Sequence, residues 1–432
     1  MTAEIAIMNK EAIALASDSA VTMTTESGQK IFTSANKLFA LSKYRPIGIM
    51  VYGNALFMDV PWETIIKIYR NKLGKKKFDT LKEYANSFIE FLDHGNSLFP
   101  DTVQEVYIQS SISAYFKFIK DRIIKKIHSI IDERGKVSEQ ETKQIVSSII
   151  KEDYERWEKA NNIQSIPKSF NKNIVNKNRR IIKKEMKKTF EKLPISKSNS
   201  NQLRKIIGSL FSKFPEGIYK GDISGVVIAG FGESDSFPLL ESFHIEGIAN
   251  NRLKYKKHMS GEISFKTSAA IIPFAQSEMV ATFMEGVDPF YRDIEESYLA
   301  QIFDEYPGII VKNLKKYTEK ESDKLRKELL KINKEILADH REKLEEYRKI
   351  NYIIPVTRVV SMLPKGELAE MAESLVSLTS FKRKVSMERE TVAEPIDVAV
   401  ISRGDGFIWI KRKHYFKAEL NPRFFVSYYK EV

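Results

Sequence analysis

Residues 1–19 have the sequence MTAEIAIMNKEAIALASDS, in which apolar side chains alternate on both sides of a polar turn. Ile5 and Ile7 precede the turn at 9–11, and Ile13 and Leu15 follow it. Alternation with a period of two around such a turn predicts a pair of antiparallel strands. The chain is therefore expected to begin with two paired strands.

Further strand-like segments follow this pair up to residue 70. They are KIF at 30–32, KLFAL at 37–41 and PIGIMVYG at 46–53. The next segment, VPWETIIKIYR at 60–70, has the spacing of apolar residues that is typical of a helix. Residues 1–70 are thus predicted to form a compact β-rich unit that leads into a helix.

The segment 71–220 is polar and has helical periodicity, which predicts a helical insertion. Its most charged part, 167–197, holds eleven Lys or Arg and two Glu. Such a charge run is usually the solvated face of a helix, and contact with nucleic-acid phosphates is the alternative. Only Phe170 and Phe190 are aromatic there, so the run offers little for stacking on bases.

Strand character returns after the insertion, and the rest of the chain divides into three pieces. In 221–305, ISGVVIAGF and LLESFHIEG flank a polar turn and predict a second hairpin, followed by a helix. Residues 306–354 combine dense charge with a narrow apolar stripe, which predicts a helical arm packed on one neighbour. Residues 355–432 contain an amphipathic helix and then two strands around the turn at 403–406. The core is thus expected in three pieces separated by two helical insertions.

Composition limits the classes of protein to which the chain can belong. The chain has 432 residues, 42% of them hydrophobic, and a net charge of +13, which predicts a soluble protein with a basic surface. Cysteine is absent, so disulfides and thiolate metal sites are excluded and a reducing cytoplasm is favoured. The N-terminal residues lack a signal peptide's apolar run, and no segment is long enough to span a bilayer. We therefore expect a cytoplasmic protein without membrane association.

The histidines and serines give no indication of a metal centre or of a serine hydrolase. Six histidines lie scattered at 94, 128, 244, 258, 340 and 414, without the spacing of metal ligands. Ser361 and Ser386 lack the glycine context of a nucleophile elbow. We accordingly expect neither a metal nor an organic cofactor.

Thr2 is the candidate that carries chemistry, because a small second residue permits removal of Met1. A free N-terminal threonine has its own α-amine within reach of its hydroxyl, and that amine can take the hydroxyl proton. An α-amine titrates near pH 8, which makes it a usable general base at neutral pH. Such a site also needs a nearby cation and a carboxylate that fixes the cation. An ordinary second residue is the alternative for Thr2.

The N-terminal pattern resembles that of proteasome β-subunits and the related peptidase of the bacterial HslUV protease. In that family the nucleophilic Thr opens a strand, and an acidic residue follows sixteen positions later. Asp18 follows Thr2 by sixteen positions here, and Thr22, Lys37 in NKLFAL and Gly53 in GIMVYG match the next family positions. The resemblance implies that Lys37 is the catalytic lysine and Asp18 its partner. Lys30 in QKIF is a rival for the lysine role.

The resemblance also implies roles for Gly53 and Thr22 in substrate binding. The backbone N–H of Gly53 would stabilise the oxyanion, and the main chain of Thr22 would bind the substrate. Two later positions depart from the family pattern. The usual Ser of a Gly-Ser-Gly turn falls at Ala275, with Ser277 two residues on, and the usual Asp-x-x-Ser support pair becomes Glu388-x-x-Thr391.

The fold that the resemblance implies is an α+β four-layer αββα sandwich of the N-terminal nucleophile (Ntn) hydrolase type. The activity that it implies is threonine-type hydrolysis of peptide amide bonds. It also implies a homo-oligomer, in the form of rings, and an ATPase or other protein partner. Two alternatives remain open: an inactive assembly or binding subunit on the same sandwich, and a nucleic-acid-associated protein that acts through the basic run at 167–197.

Overall fold

The structure is a computed structural model, and it describes most of the chain. The described residues are 3–25, 28–32, 35–93, 97–215, 221–314, 317–386, 392 and 394–430. Within these ranges, 22–31, 418 and 427–430 are described by their backbone alone.

The strands lie in two regions of the sequence, before residue 62 and after residue 223. In chain order they are β1 (Ala3–Asn9), β2 (Ala12–Ser17), β3 (Val21–Thr25), β4 (Gly28–Phe32), β5 (Leu38–Ala40), β6 (Ile47–Tyr52), β7 (Leu56–Phe57), β8 (Val60–Pro61), β9 (Ser224–Gly230), β10 (Leu239–Ala249), β11 (Arg252–Glu262), β12 (Ala269–Ala275), β13 (Asp397–Ser402) and β14 (Gly406–Lys411).

The helices fill the interval between the two strand regions and much of the C-terminal third. They are α1 (Trp62–Leu73), α2 (Leu81–Leu92), α3 (Asp101–Arg134), α4 (Glu139–Lys159), α5 (Phe170–Lys177), α6 (Arg179–Phe190), α7 (Lys197–Leu210), α8 (Glu278–Glu285), α9 (Pro289–Asn313), α10 (Glu319–Arg348), α11 (Ile354–Val360), α12 (Lys365–Val385) and α13 (Pro422–Lys430). A π-helical turn, Lys349–Ile353, joins α10 to α11, and a 3₁₀ turn spans Ala418–Leu420.

Ten of these strands form two antiparallel sheets of five strands each, and β3–β4 and β7–β8 form two small sheets. The first sheet has the order β12-β1-β2-β13-β14, and the second has the order β11-β10-β9-β6-β5. In the first sheet, β1 and β2 pair with Ile5 opposite Ala16 and Ile7 opposite Ala14, as the alternation around the turn at 9–11 predicts. Segments from both ends of the chain therefore meet in one sheet, since β13 pairs with β2.

The two sheets pack face to face, because alternate residues of each strand point to the same apolar layer. Ala6, Met8 and Leu15 of the first sheet lie in one buried cluster with Met50 and Val227 of the second. This shared layer fixes the position of one sheet on the other.

The outer face of each sheet is covered by helices. On the first sheet, Ile5 and Ile7 pack with Leu368 and Ala372 of α12. On the second sheet, strands β5, β6, β9 and β10 pack against α1 and α2 in another buried cluster. The order of layers is therefore helix, sheet, sheet, helix. The prediction of an α+β protein is confirmed.

Helices α3 to α7 form a separate helical unit with its own apolar core. Ile112, Phe116 and Ile119 of α3 lie there with Ile150 of α4 and Leu203 of α7. The unit contains the basic run at 167–197, whose helix α6 buries Ile182 and Phe190. The apolar face of the basic run therefore packs inward, while its eleven lysines and arginines are exposed.

The structure also shows where the helical segments meet the core. Helix α2 lies within the predicted insertion 71–220, yet Tyr84, Phe88 and Leu92 belong to the layer on the second sheet. Helix α9 is continuous from Pro289 to Asn313, so the helical arm begins before the predicted boundary at 305/306. Pro289 at the first helical position and the Asp288 side chain, which accepts from Phe290 N at 2.9 Å, set this start.

Candidate active site

Asp18 lies directly after β2 and binds the first described residue of the chain. The backbone N–H of Ala3 donates to Asp18 Oδ1 at 3.1 Å, and Asp18 N donates to Ala3 O at 3.2 Å. Ala20 N donates to the other carboxylate oxygen at 2.9 Å. The carboxylate is fully buried and accepts two backbone hydrogen bonds, so its position is fixed by the N–H groups of Ala3 and Ala20.

Lys37 reaches the same carboxylate from the second sheet. Its Nζ lies 2.6 Å from Asp18 Oδ1 and 3.6 Å from Glu4 Oε1. The side chain of Lys37 is only 6% exposed, and those of Glu4 and Asp18 are 0% exposed. A buried ammonium is tolerated when carboxylates surround it, because the pairing offsets the loss of hydration. The structure therefore brings Asp18 and Lys37 into direct contact beside the start of β1.

The backbone around Lys37 explains how it reaches the first sheet. Lys37 precedes β5, and its carbonyl accepts from Val51 N of β6 at 2.9 Å. Leu38 and Met50 pair across β5 and β6, and both side chains belong to the apolar layer between the sheets. The short strand β5 thus anchors Lys37 at the edge of this layer.

A second buried ion pair lies next to the first. Lys413 contacts Asp397 through its ammonium, and its backbone N–H donates to Asp397 Oδ1 at 2.8 Å. Burial lowers the pKa of Lys413 from its ordinary value, and the positive charge of Lys37 lowers it further, while Asp397 and Asp18 act in the opposite direction. Since Asp397 is opposite Ser17 in the sheet, both pairs lie at the same end of β2.

Gly53 follows β6 at the same end of the second sheet as Lys37. Its φ is +87°, and a Cβ there would lie 2.5 Å from Ile223 O. A side chain is therefore excluded by both the backbone conformation and the neighbouring carbonyl. Gly53 itself is exposed, so its surroundings are open to a ligand.

Tyr52, the residue before Gly53, contacts one of two stacked histidines. Its hydroxyl lies 3.2 Å from His244 Nε2, and the rings of His244 and His258 stack with their centroids 4.0 Å apart. Burial raises the pKa of Tyr52 above its ordinary value, and the Glu4 carboxylate adds to this effect. The tyrosine therefore stays neutral beside the cluster of charges.

The end of β12 lies next to the start of β1. Ala275 is opposite Ala3 in the register of these strands and has a φ of +61°. Ser277, two residues on, is exposed at the start of α8. Gln276 between them is buried, and its Oε1 accepts from Arg383 Nε at 3.0 Å. The segment 275–277 thus lies at the same end of the first sheet as Asp18.

Several predicted site residues lie outside the described part of the chain. These are Thr2, Glu388 and Thr391. Thr22 and Lys30 lie in the paired strands β3 and β4, where Thr22 is opposite Ile31, and their side chains are not described. The described residue next to 388–391 is Val392, which is buried and whose carbonyl accepts from the Ser380 hydroxyl at 3.2 Å. Further on, the carbonyl of Pro395 accepts a hydrogen bond from the Ser19 hydroxyl.

Sequence reasoning missed Glu4, Asp397 and Lys413, and it treated the stacked histidines as scattered. The period of β1 offered a signal for Glu4, because Glu4 shares a face with Ala6 and Met8, which point toward the second sheet. The Asp397–Lys413 pair offered none, since its place depends on the pairing of β13 with β2.

Among the described residues, no group of three or more His, Asp or Glu side chains could hold a metal ion. None of the helices in the same part of the chain is long and apolar enough to cross a membrane.

Comparison with models of known protein families gives no match, and comparison with curated proteins gives none either.

Proposed function

We propose that this chain is an Ntn hydrolase of the proteasome β-subunit type, in which Thr2 attacks peptide bonds after removal of Met1. The observation that carries the proposal is the arrangement of Asp18. One carboxylate oxygen accepts both Lys37 Nζ at 2.6 Å and the backbone N–H of Ala3 at 3.1 Å. Ala3 is covalently joined to Thr2, and adjacent Cα atoms are about 3.8 Å apart. The residue that fixes the lysine therefore also fixes the neighbour of the proposed nucleophile.

The order of layers supports the same assignment. Two antiparallel sheets pack on each other, and helices cover both outer faces. This is the αββα order that the resemblance to the family implies. Fold alone does not define an activity, so the proposal rests on the residues at the start of β1.

The proposed reaction has two steps. The Thr2 hydroxyl attacks the carbonyl carbon of the substrate amide while the α-amine of Thr2 accepts the hydroxyl proton. That proton passes to the leaving amine when the C–N bond breaks, which leaves an ester on Thr2 Oγ. Water then attacks the ester, with the α-amine again as base, and releases the acid product and the free hydroxyl.

Lys37 and Gly53 have electrostatic roles in this proposal. A cation near the α-amine lowers the pKa of that amine and so favours its neutral, basic form. Lys37 supplies that cation, and Asp18 holds it in place. The N–H of Gly53 would donate to the oxyanion, because the absence of a side chain lets a substrate approach its backbone.

Hydrolysis of fluorogenic peptides tests the proposal. The chain without Met1 should hydrolyse at least one peptide of a mixed library, Thr2→Ser should retain activity, and Thr2→Ala should lose it. Thr2→Val serves as the matched control, because it keeps the shape of threonine but has no hydroxyl. Equal rates for wild type and Thr2→Val would contradict the proposal.

The two alternatives differ from this proposal in what they predict. An inactive subunit would retain the fold and the Asp18–Lys37 pair, yet no peptide would be cleaved. A nucleic-acid-associated protein would bind through 167–197, independently of Thr2. The ring assembly and the ATPase partner implied by the resemblance remain predictions.

A further inference from the structure

The helical arm formed by α9 and α10 buries very little of its own surface. The two helices run antiparallel, with Arg341 Nε 3.3 Å from Glu296 Oε2 and with the Asn333 side chain donating to Phe303 O. Every residue of both helices is described, and among them only Pro307 is buried. Two helices gain most of their stability from burying apolar faces, so a pair with so little burial lacks a packing partner.

One side of α9 carries a continuous apolar stripe that is exposed to solvent. Its members are spaced mostly four residues apart and are each 55–67% exposed: Phe290, Tyr291, Ile294, Tyr298, Ile302, Tyr306 and Ile309. Scattered exposed apolar residues are normal, but a contiguous row along one helix is the mark of an interaction surface. Its aromatic content is also typical of interface cores.

The arm is electrically polarised along its length. The distal half, 301–334, holds nine Lys or Arg and six Asp or Glu. The proximal half, 289–300 and 335–348, holds four Lys or Arg and eight Asp or Glu. The distal half is thus basic and the proximal half acidic.

We propose that the arm is a homodimerisation element, on which the arm of a second copy of this chain packs in the antiparallel direction. A two-fold axis would place the basic distal half of each arm against the acidic proximal half of the other. The two contacts are identical by symmetry, so a basic half pairs with an acidic half at both ends of the interface. The product is a four-helix bundle whose core contains the two apolar stripes.

The size of the stripe fits this partner. An aromatic side chain buries about 150–250 Å² in an interface, so four that are more than half exposed offer roughly 500 Å² per chain. Two chains then bury roughly 1,000 Å² from aromatic residues alone, which reaches the lower bound of a specific interface. The three isoleucines of the stripe add to this area.

Charge also favours a protein partner over a lipid surface. The stripe extends into the acidic proximal half of the arm, where Phe290, Ile294 and Tyr298 lie near Asp293, Glu295 and Glu296. An anionic membrane would be repelled there, whereas a basic arm would be attracted.

Light scattering of the full-length chain tests the proposal. The wild type should have at least twice the mass of the 49.8 kDa chain, and Ile294→Glu with Tyr298→Glu should halve the observed mass. Val106→Glu is the matched control, because Val106 is 62% exposed on α3, and it should leave the mass unchanged. An identical mass for wild type and the double variant would overturn the proposal. Loss of vesicle binding in the double variant with no change in mass would assign the stripe to membranes and also overturn it.

Charge reversal tests the electrostatic pairing of the two arms without disturbing the stripe. Lys320→Glu, Lys324→Glu and Lys327→Glu together make the distal half acidic, while Glu342→Lys, Glu345→Lys and Glu346→Lys make the proximal half basic. Each triple variant alone should have half the wild-type mass, since like charges then face each other. An equimolar mixture should regain the wild-type mass as a heterodimer. A mixture that stays at the lower mass would exclude the antiparallel arrangement.

Discussion

Replacing Lys37 with methionine removes the ammonium that lies 2.6 Å from Asp18 Oδ1. Methionine keeps the length and the apolar stem of lysine, so the change is mainly electrostatic. The side chains of Asp18 and Glu4 are both fully buried, and their negative charges would then repel each other without the Lys37 ammonium between them. We expect a large loss of stability from this single change.

The size of the loss in the free energy of unfolding depends on the hydrogen bonds that Asp18 keeps. Breaking a buried ion pair by removing one member costs about 3–5 kcal/mol. Asp18 keeps the N–H donors of Ala3 and Ala20 at 3.1 and 2.9 Å, which places Lys37→Met at the lower end, about 3 kcal/mol. Asp18→Asn should cost a similar amount, about 3 kcal/mol, because its amide N–H₂ would face a backbone donor.

The double variant distinguishes a coupled pair from two independent residues. The double variant no longer has the Asp18 charge that Lys37→Met leaves unmatched, and the lost contact of Lys37 with Glu4 is common to Lys37→Met and the double variant. Asp18→Asn with Lys37→Met should therefore cost about 3 kcal/mol less than the sum of the single changes. Urea unfolding of the four proteins gives this coupling. The exposed pair Lys343–Asp339, with Nζ and Oδ2 2.8 Å apart, is the matched control and should show almost no coupling. Additivity at Asp18 and Lys37 would refute the reasoning.

Three further predictions concern the surroundings of the site and the basic run. Gly53→Ala should destabilise the protein by about 1–3 kcal/mol, because its φ is +87° and the new Cβ would lie 2.5 Å from Ile223 O; Gly404→Ala, where no atom lies within 4 Å, should leave the melting temperature unchanged. The lowered pKa of Lys413 means that the unfolded chain holds a proton which the folded chain releases, so the free energy of unfolding should rise with pH over the interval just below 10.5. Lys413→Met should lack that rise, by up to about 1.4 kcal/mol per pH unit, and parallel pH profiles of the two proteins would contradict the assignment. We expect no gel shift of single-stranded RNA at physiological salt, because Phe170 and Phe190, the aromatic residues of the basic run, are buried and cannot stack on bases; a shift abolished by Lys183→Glu with Lys187→Glu would instead favour the nucleic-acid alternative.

Much of the fold follows from local pattern. The β1–β2 pair can be predicted from the alternation of Ile5, Ile7, Ile13 and Leu15. A period-two pattern on each side of a turn is typical of two antiparallel strands. The hairpin at 403–406 is equally local, and β13 and β14 flank it. The pairing of β13 with β2 could not be predicted, because nothing in either strand specifies a partner nearly four hundred residues away.

One helical assignment depended on a contact that the sequence does not display, and one helical boundary depended on a local cap. Helix α2 has the composition of the insertion, yet it belongs to the core because the second sheet offers it an apolar face. The start of α9 was set by local capping at Asp288 and Pro289, which the charged pattern of the arm obscured. Amphipathic periodicity shows that a face will be buried, but not against which partner.

Part of the candidate site could be predicted from the sequence, and part depends on contacts between distant segments. Asp18 and Lys37 were found through spacing and resemblance, and the structure places their charged atoms 2.6 Å apart. Glu4, Asp397 and Lys413 join them only because two sheets and the C-terminal strands converge there. A charge cluster built from distant segments leaves no motif in a single sequence.

The proposed identity of the nucleophile can be measured directly by mass spectrometry of the N-terminal peptide after treatment with a threonine-reactive electrophile. The account predicts that Met1 is absent, that the adduct lies on Thr2, and that Lys37→Met forms it more slowly. Thr2→Ala should form no adduct. Retention of Met1, or equal labelling of wild type and Thr2→Ala, would contradict the account.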